Sequence, residues 1–197
     1  MRTLVVILFV FSLVTSCRKS GEDINFPDSS QAYYMDLQGQ EIKMNMHTAL
    51  DLNRDGEKDI SFGTILVGDP VFGVDKRQYV VSTGINSFLS VDQDEKIPVL
   101  QAGDSIPVEN FRGYNWYNAT YIVLARKITG VDKPSYWEGS WKDARHNYIA
   151  LQLKNRNLRY NGWVEISFDM AAEKIILHRA CLSKQPEKSL ICDKNWK

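Results

Sequence analysis

The feature that most constrains the fold is a succession of short segments in which apolar and polar side chains alternate. In the segment 148–154, Ile149, Leu151 and Leu153 share one wholly apolar face. Similar segments, rich in Val, Ile, Tyr, Phe and Thr, recur between Gly, Asn, Asp and Pro from residue 32 onwards, and none has a sustained helical period. The pattern predicts an all-β fold, a single antiparallel β-sandwich or barrel-like domain.

The amino terminus has the pattern of an export signal. Arg2 precedes an apolar run from Leu4 to Leu13, about ten residues long, whereas a transmembrane helix needs about 20. A short apolar core behind a positive charge is typical of a signal peptide, so residues 1–16 are predicted to be removed. No later stretch reaches the roughly 18 apolar residues that a membrane span would need.

The segment Val14-Thr15-Ser16-Cys17 resembles the lipobox of bacterial lipoproteins. The resemblance implies that Cys17 becomes the first mature residue and carries the acyl chains that attach the protein to a membrane. Residues 17–31 are polar and contain Gly, Pro, Asp and Ser, which predicts a lipidated flexible tether before an all-β domain at 32–197. The alternative is an ordinary signal peptide with an incidental cysteine.

The residues after Cys17 bear on which membrane would hold the protein. Arg18 stands where some lipoproteins have the Asp that retains them in the inner membrane. Glu22-Asp23 resembles a surface-export signal. Both features favour the outer membrane of a bacterial cell envelope, on its periplasmic or its surface face.

The charge balance of the mature chain gives no basic surface for nucleic acid. The whole chain has 24 basic and 24 acidic residues, and removal of Arg2 with the signal peptide leaves 23 basic residues. A net charge near −1 provides no field that would attract a polyanion.

Two cysteines, Cys181 and Cys192, remain in the domain. An even pair in an exported chain favours a disulfide. The bond would close a loop of about 12 residues and could stabilise the fold by up to about 3 kcal/mol. The alternative is two buried free thiols.

The stretch DLNRDGEKD, residues 51–59, carries oxygen-bearing side chains at alternate positions around one glycine, Gly56. Calcium prefers six to eight oxygen ligands, and a tight loop can direct alternate carboxylates at one centre. The predicted ligand residues of this structural calcium site are Asp51, Asn53, Asp55, Glu57 (through its backbone carbonyl) and Asp59. An EF-hand is excluded, because Phe62 occupies the position of the closing glutamate and the flanking residues have a strand pattern.

Over DLNRDGEKDISFG, residues 51–63, the chain resembles the calcium loops of FG-GAP repeats, which occur in integrin-alpha-type propellers and in many bacterial surface proteins. The resemblance implies bound calcium in a connection between strands. Only one copy is present, whereas a full propeller would need several. The alternative is a polar hairpin turn, since Asn and Asp-Gly favour turns without any metal.

The carboxy-terminal half resembles secreted bacterial all-β proteins of unknown function. The resemblance lies in residues 102–106 (AGDSI), 148–151 (YIAL), 161–164 (NGWV) and 178–180 (HRA). It implies an exported β domain and no established activity. Within it, Asn161-Gly162 predicts a turn with positive φ, and Trp163 is predicted to enter the core.

Two stretches are dense in aromatic residues, FRGYNWYNATY at 111–121 and YWEGSW at 136–141. Exposed Trp and Tyr side chains can form a platform for a glycan or a protein partner. The candidate platform residues are Tyr114, Trp116, Tyr117, Trp137 and Trp141. The alternative is that these rings pack against the core.

Motifs for catalysis are scarce. The three histidines, His47, His146 and His178, lack the spacing of a zinc site, and no serine lies in a G-x-S-x-G elbow. The carboxylates of Glu138 and Asp143 could form a pair for glycoside cleavage, which leaves a glycan-active hydrolase as the alternative. The sequence favours a non-enzymatic, lipid-anchored envelope protein that binds a ligand or has a structural role.

Overall fold

The computed structural model describes residues 31–193, and strands make up all of its regular secondary structure. The predicted signal peptide, Cys17 and the predicted tether up to residue 30 lie outside the described residues. The thirteen strands, in chain order, are β1 (Ala32–Ile42), β2 (His47–Leu50), β3 (Ile60–Asp69), β4 (Val74–Thr83), β5 (Ser87–Val91), β6 (Ser105–Ile106), β7 (Asn115–Tyr117), β8 (Ile122–Gly130), β9 (Tyr136–Glu138), β10 (Asn147–Asn155), β11 (Leu158–Asp169), β12 (Lys174–Ser183) and β13 (Leu190–Ile191).

These strands form two main antiparallel sheets and one small one. The first sheet has the order β1-β12-β11-β10-β5-β7, the second has the order β2-β3-β4-β8-β9, and β13 pairs with β6. The all-β prediction is confirmed, and of its two forms the sandwich is the one observed, because neither main sheet closes on itself.

The main core lies between the two large sheets. Alternation along each strand directs one set of side chains inwards. Ile149 and Leu151 of β10 are fully buried there with Phe62 and Tyr79 of the second sheet, which confirms the predicted apolar face of β10. Tyr79 and Phe168 meet edge to face with ring centroids 4.9 Å apart, which joins the two sheets.

A second apolar cluster covers the opposite face of the first sheet. Tyr148, Ala150 and Trp163 are fully buried, but they lie outside the main core. They pack against Leu100 and Ile106. Trp163 is therefore buried, as predicted. The central strands are apolar on both faces because segments distant in sequence cover the second face.

The predicted turn at Asn161-Gly162 is wrong. Both residues lie inside β11, and the turn falls at 156–157, where Arg156 has a φ of 56°. A Cβ on Gly162 would lie 2.7 Å from the Cys181 carbonyl oxygen, so the glycine permits close strand packing. The buried Asn161 amide donates to the carbonyls of Ile106 and Lys188, both at 3.0 Å, and so holds the covering segments on the sheet.

Candidate functional site

The acidic stretch connects two paired strands. Leu50 at the end of β2 pairs with Ile60 at the start of β3, so residues 51–59 form the loop of an antiparallel hairpin. Arg54 and Gly56 have φ angles of 61° and 93°, the left-handed conformation that tight turns require. The flanking strands agree with the expectation that this is no EF-hand.

Carboxylate and amide oxygens organise the loop through its own backbone. Asp51 Oδ2 accepts the Gly56 N–H at 2.9 Å, Asn53 Oδ1 accepts the Asp55 N–H at 3.0 Å, and Asp55 Oδ1 accepts the Glu57 N–H at 2.8 Å. Each carboxylate oxygen offers more than one acceptor site, so these bonds leave acceptor capacity for a further ligand.

Asp59 is the buried member of the loop, with 5% of its surface exposed. Its Oδ2 accepts the Leu52 N–H at 2.6 Å. Burial and the neighbouring charges of Asp51 and Asp55 raise the pKa of Asp59 to about 6. Within residues 31–193, no basic side chain forms an ion pair with Asp51, Asp55 or Asp59.

The donor chemistry of the loop suits a hard cation, but its acidic side chains do not form a closed cage. Among the described residues, no three His, Cys, Asp or Glu side chains stand together in a group that could hold a metal ion. Calcium needs amide and backbone oxygens as well as carboxylates. Asn53 and the backbone carbonyl of Glu57 belong to that class of ligand. The predicted calcium site stays a prediction.

The loop borders a cavity of about 720 Å³ at one end of the sandwich, where the strands of the first sheet also end. We call this the loop end; its defining segments are 51–59, 85–87, 153–156 and 182–184. A volume of this size is in the range of small-molecule sites.

Two residues not singled out for this role by sequence hold the cavity in shape. The Asn118 amide donates to the carbonyls of Gly84 at 2.6 Å and Ser87 at 2.8 Å, which fixes the turn between β4 and β5. Gly84 donates its N–H to the Asp59 carbonyl at 2.9 Å. A Cβ on Gly84 would lie 1.9 Å from the Lys58 carbonyl oxygen, so only glycine fits against the loop.

The five candidate platform residues do not share one exposed surface. Trp141 is fully buried, and its indole N–H donates to the Ile97 carbonyl at 3.2 Å. Trp137 is half-buried against the core, and Trp116 is half-buried against the second cluster. Tyr114 is half-buried, and Tyr117 is 55% exposed. Trp141 is therefore packed in the core, and a ligand platform of the other four residues stays a prediction.

The two carboxylates of the hydrolase alternative are paired separately. Glu138 accepts from Arg126 at 2.7 Å, and Asp143 pairs with its neighbour Lys142. Glu138 lines two surface cavities, and Asp143 lines neither of them. The two carboxylates therefore do not face each other across either of these cavities.

A polar cluster on the first sheet has no signal in the sequence, because strand pairing brings its members together. Glu165 is buried and binds Arg179 at 2.6 Å and His146 at 2.8 Å. The His146 and His178 rings stack with centroids 4.1 Å apart, and His178 Nε2 lies 2.8 Å from Ser167 Oγ. Burial, and then the charge of His146, lower the pKa of His178.

A serine beside an imidazole can be a nucleophile and its base. Here Ser167 Oγ also accepts the backbone N–H of His146 at 2.9 Å, and the buried carboxylate orients His146 instead of His178. None of these side chains lines the cavity at the loop end. These contacts fit a network that holds β11 and β12 together.

Cys181 and Cys192 are free thiols in this structure, and both are buried in the second cluster. Burial raises the pKa of each thiol to about 12, so neither is an activated nucleophile. The disulfide stays a prediction.

A comparison with protein families, with curated proteins and with solved structures finds no match. Among residues 31–193, no helix is long and apolar enough to cross a membrane.

Proposed function

We propose that this protein is a lipid-anchored module of the bacterial cell envelope that binds a ligand beside a calcium-stiffened loop. The observation that carries the proposal is the charge of Asp51, Asp55 and Asp59, with which no basic side chain of residues 31–193 forms an ion pair, in a loop whose Asp55 and Asp59 line the cavity of about 720 Å³. Extracellular calcium modules work with weak sites, so an exported protein can use an imperfect one.

The loop residues have separate parts in this proposal. Asp51, Asn53 and Asp55 would hold calcium together with Asp59 and the Glu57 carbonyl. When bound, the ion would neutralise the charges that repel one another around Asp59. Asp59 would also keep the loop on the sandwich through the bonds that its side chain and carbonyl make with Leu52 and Gly84.

The lipid anchor rests on Cys17 and its resemblance to a lipobox. The described chain enters the domain at the loop end, where the Gln31 carbonyl accepts the Lys184 N–H at 2.8 Å. The proposed tether therefore leads to the end of the sandwich that holds the cavity. We place the protein at the outer membrane on the sequence features that follow Cys17.

In an oxidising compartment we also propose a disulfide between Cys181 and Cys192, which lie in the same buried cluster. Alkylation of the denatured, unreduced protein should then leave both cysteines unmodified. Labelling of both would contradict the bond.

Direct calcium titration of the purified protein tests the loop. We expect one calcium ion per chain, and Asp51→Asn should weaken binding at least tenfold, since it removes one charged ligand. Asp92→Asn is the matched control, because Asp92 also accepts backbone N–H groups in a turn, at 2.9 and 2.8 Å. Equal affinity of both variants would contradict the proposed ligands.

Cell fractionation tests the anchor. The protein should partition with membranes and incorporate labelled fatty acid, and Cys17→Ser should lose both properties because the acceptor sulfur is gone. Membrane association that survives in Cys17→Ser without fatty-acid label would contradict lipid anchoring at this residue.

A further inference from the structure

The cavity at the loop end has walls of opposite charge. The acidic loop contributes the carboxylates of Asp55, Glu57 and Asp59, together with Lys58, on the side of the second sheet. The turn between β10 and β11 contributes Lys154 and Arg156, and the end of β12 contributes Lys184. The ligand therefore meets cationic groups on the wall formed by the first sheet.

The cationic groups of the β10–β11 turn are available to a ligand. Lys154 and Arg156 are exposed, and neither forms an ion pair with another residue of the described range 31–193. The Lys184 ammonium lies 4.6 Å from the centre of the Tyr33 ring, which holds it at the cavity edge. A guanidinium matches a carboxylate with two parallel hydrogen bonds, which gives Arg156 a preference for that group.

The calcium proposed above decides the net charge that a ligand would meet. Residues 51–59 contain four acidic and two basic side chains, so a bound divalent cation would bring this wall close to neutral. Lys154 and Arg156 of the opposite wall would then dominate the cavity. With calcium present, the cavity favours an anion.

The remaining lining is suited to hydroxyl groups. Two side-chain amides outside the acidic loop, those of Asn86 and Asn155, border the cavity, and each can donate and accept a hydrogen bond. Tyr33 and Tyr160 add ring carbon and one hydroxyl each. Inorganic phosphate offers only one or two hydroxyl donors to the amide and carboxylate oxygens on these walls, whereas a sugar has several on every ring.

We propose that this cavity binds an oligosaccharide that bears carboxylates, with a uronate carboxylate on Arg156 and Lys154 and its hydroxyls on the amides. The inference rests on the proposed function, because the calcium-loaded loop completes the site. Calcium and the saccharide should therefore strengthen each other's binding by the same factor.

Calorimetric titration with trigalacturonate as the probe tests the ligand class. In millimolar calcium we expect it to bind at least tenfold tighter than neutral maltotriose, and tighter than inorganic phosphate. Chelation of calcium should weaken trigalacturonate binding several-fold. Equal binding of trigalacturonate and maltotriose, or tighter binding of phosphate, would overturn the ligand class.

Variants locate the binding site. Arg156→Gln should weaken trigalacturonate binding about tenfold with an unchanged melting temperature, since Arg156 is exposed. Arg145→Gln is the matched control, because Arg145 is also exposed and lies outside the cavity lining. Equal losses of trigalacturonate affinity in both variants would show only a general attraction between charges. That result would contradict binding in this cavity.

The same titrations separate this inference from the function on which it rests. If calcium binds and trigalacturonate does not, the saccharide site is wrong and the calcium loop stands. If trigalacturonate binds equally well with calcium and with chelator, and Arg156→Gln abolishes it, the saccharide site stands and its coupling to calcium is wrong.

Discussion

The carboxylate of Asp59 accepts the backbone N–H of Leu52 at 2.6 Å. This bond joins two residues of the acidic loop that are seven positions apart. The buried carboxylate also lies near the negative charges of Asp51 and Asp55. Asp59 thus holds the loop in place, but its buried charge destabilises the folded loop when no cation is bound.

Asp59→Asn should stabilise the protein without calcium and abolish the stabilisation that calcium gives. In chelator at pH 7 the variant should be more stable than the parent, by up to about 3 kcal/mol, because the amide keeps an acceptor for Leu52 and removes a destabilised charge. In millimolar calcium the parent should gain stability and the variant should gain none. Urea unfolding in both buffers measures this. A variant that is less stable than the parent in chelator would contradict the repulsion.

The pH dependence follows from the raised pKa of Asp59, about 6. The folded chain holds this proton more tightly than the unfolded chain, whose Asp has a pKa of about 3.9. Without calcium, the destabilisation from Asp59 is complete above pH 6 and disappears as pH falls from about 6 to 4. The stability difference between the parent and Asp59→Asn should close over that window.

Calcium affinity should fall as the pH is lowered, because calcium needs the deprotonated carboxylate of Asp59. Affinity should fall about tenfold per pH unit below 6, and titrations between pH 5 and 8 would measure the slope. A flat profile would mean that Asp59 is no ligand.

Gly56 and Gly84 show which features of the loop can be predicted from the sequence and which cannot. The Asp-Gly pair and the strand pattern on either side are local signals, and they predict the hairpin correctly. The role of Gly84 depends on the Lys58 carbonyl, to which no local pattern points. The cavity likewise combines segments that lie more than one hundred residues apart.

Gly84→Ala should destabilise the protein by about 1–3 kcal/mol, because its Cβ would overlap the Lys58 carbonyl and displace the acidic loop. Gly68→Ala is the matched control, since its Cβ would meet only an ordinary contact at 3.6 Å. Thermal unfolding of both variants makes the comparison. Equal stability of the two would contradict the close packing of the loop against Gly84.

In the apolar clusters, too, local sequence patterns predict some of the buried residues, and contacts with distant segments determine the others. Alternation in β10 predicts its inward face, including Ile149 and Leu151. It does not predict that Tyr148 on the other face is also buried, because the cover comes from distant segments. Trp141 enters the core from a stretch without periodicity, so its burial could not be distinguished in advance from exposure on a binding surface.

Arg179→Met should destabilise the fold by about 3–5 kcal/mol, because it leaves the carboxylate of Glu165 buried without its main partner. Adding Glu165→Gln to that variant should recover part of the loss, since it removes the stranded charge. Denaturant unfolding of both variants gives the values. A double variant less stable than Arg179→Met would show that the charge of Glu165 is not the cause.

The melting temperature of the parent protein in chelator and in millimolar calcium tests the central claim most directly. At a calcium concentration one hundred times the dissociation constant, binding should stabilise the fold by about 2.7 kcal/mol. For a domain of this size that corresponds to a rise in melting temperature of about 5–10 °C, and Asp51→Asn, with at least tenfold weaker binding, should show no more than about half of that rise. An unchanged melting temperature in the parent at millimolar calcium would contradict a structural calcium loop.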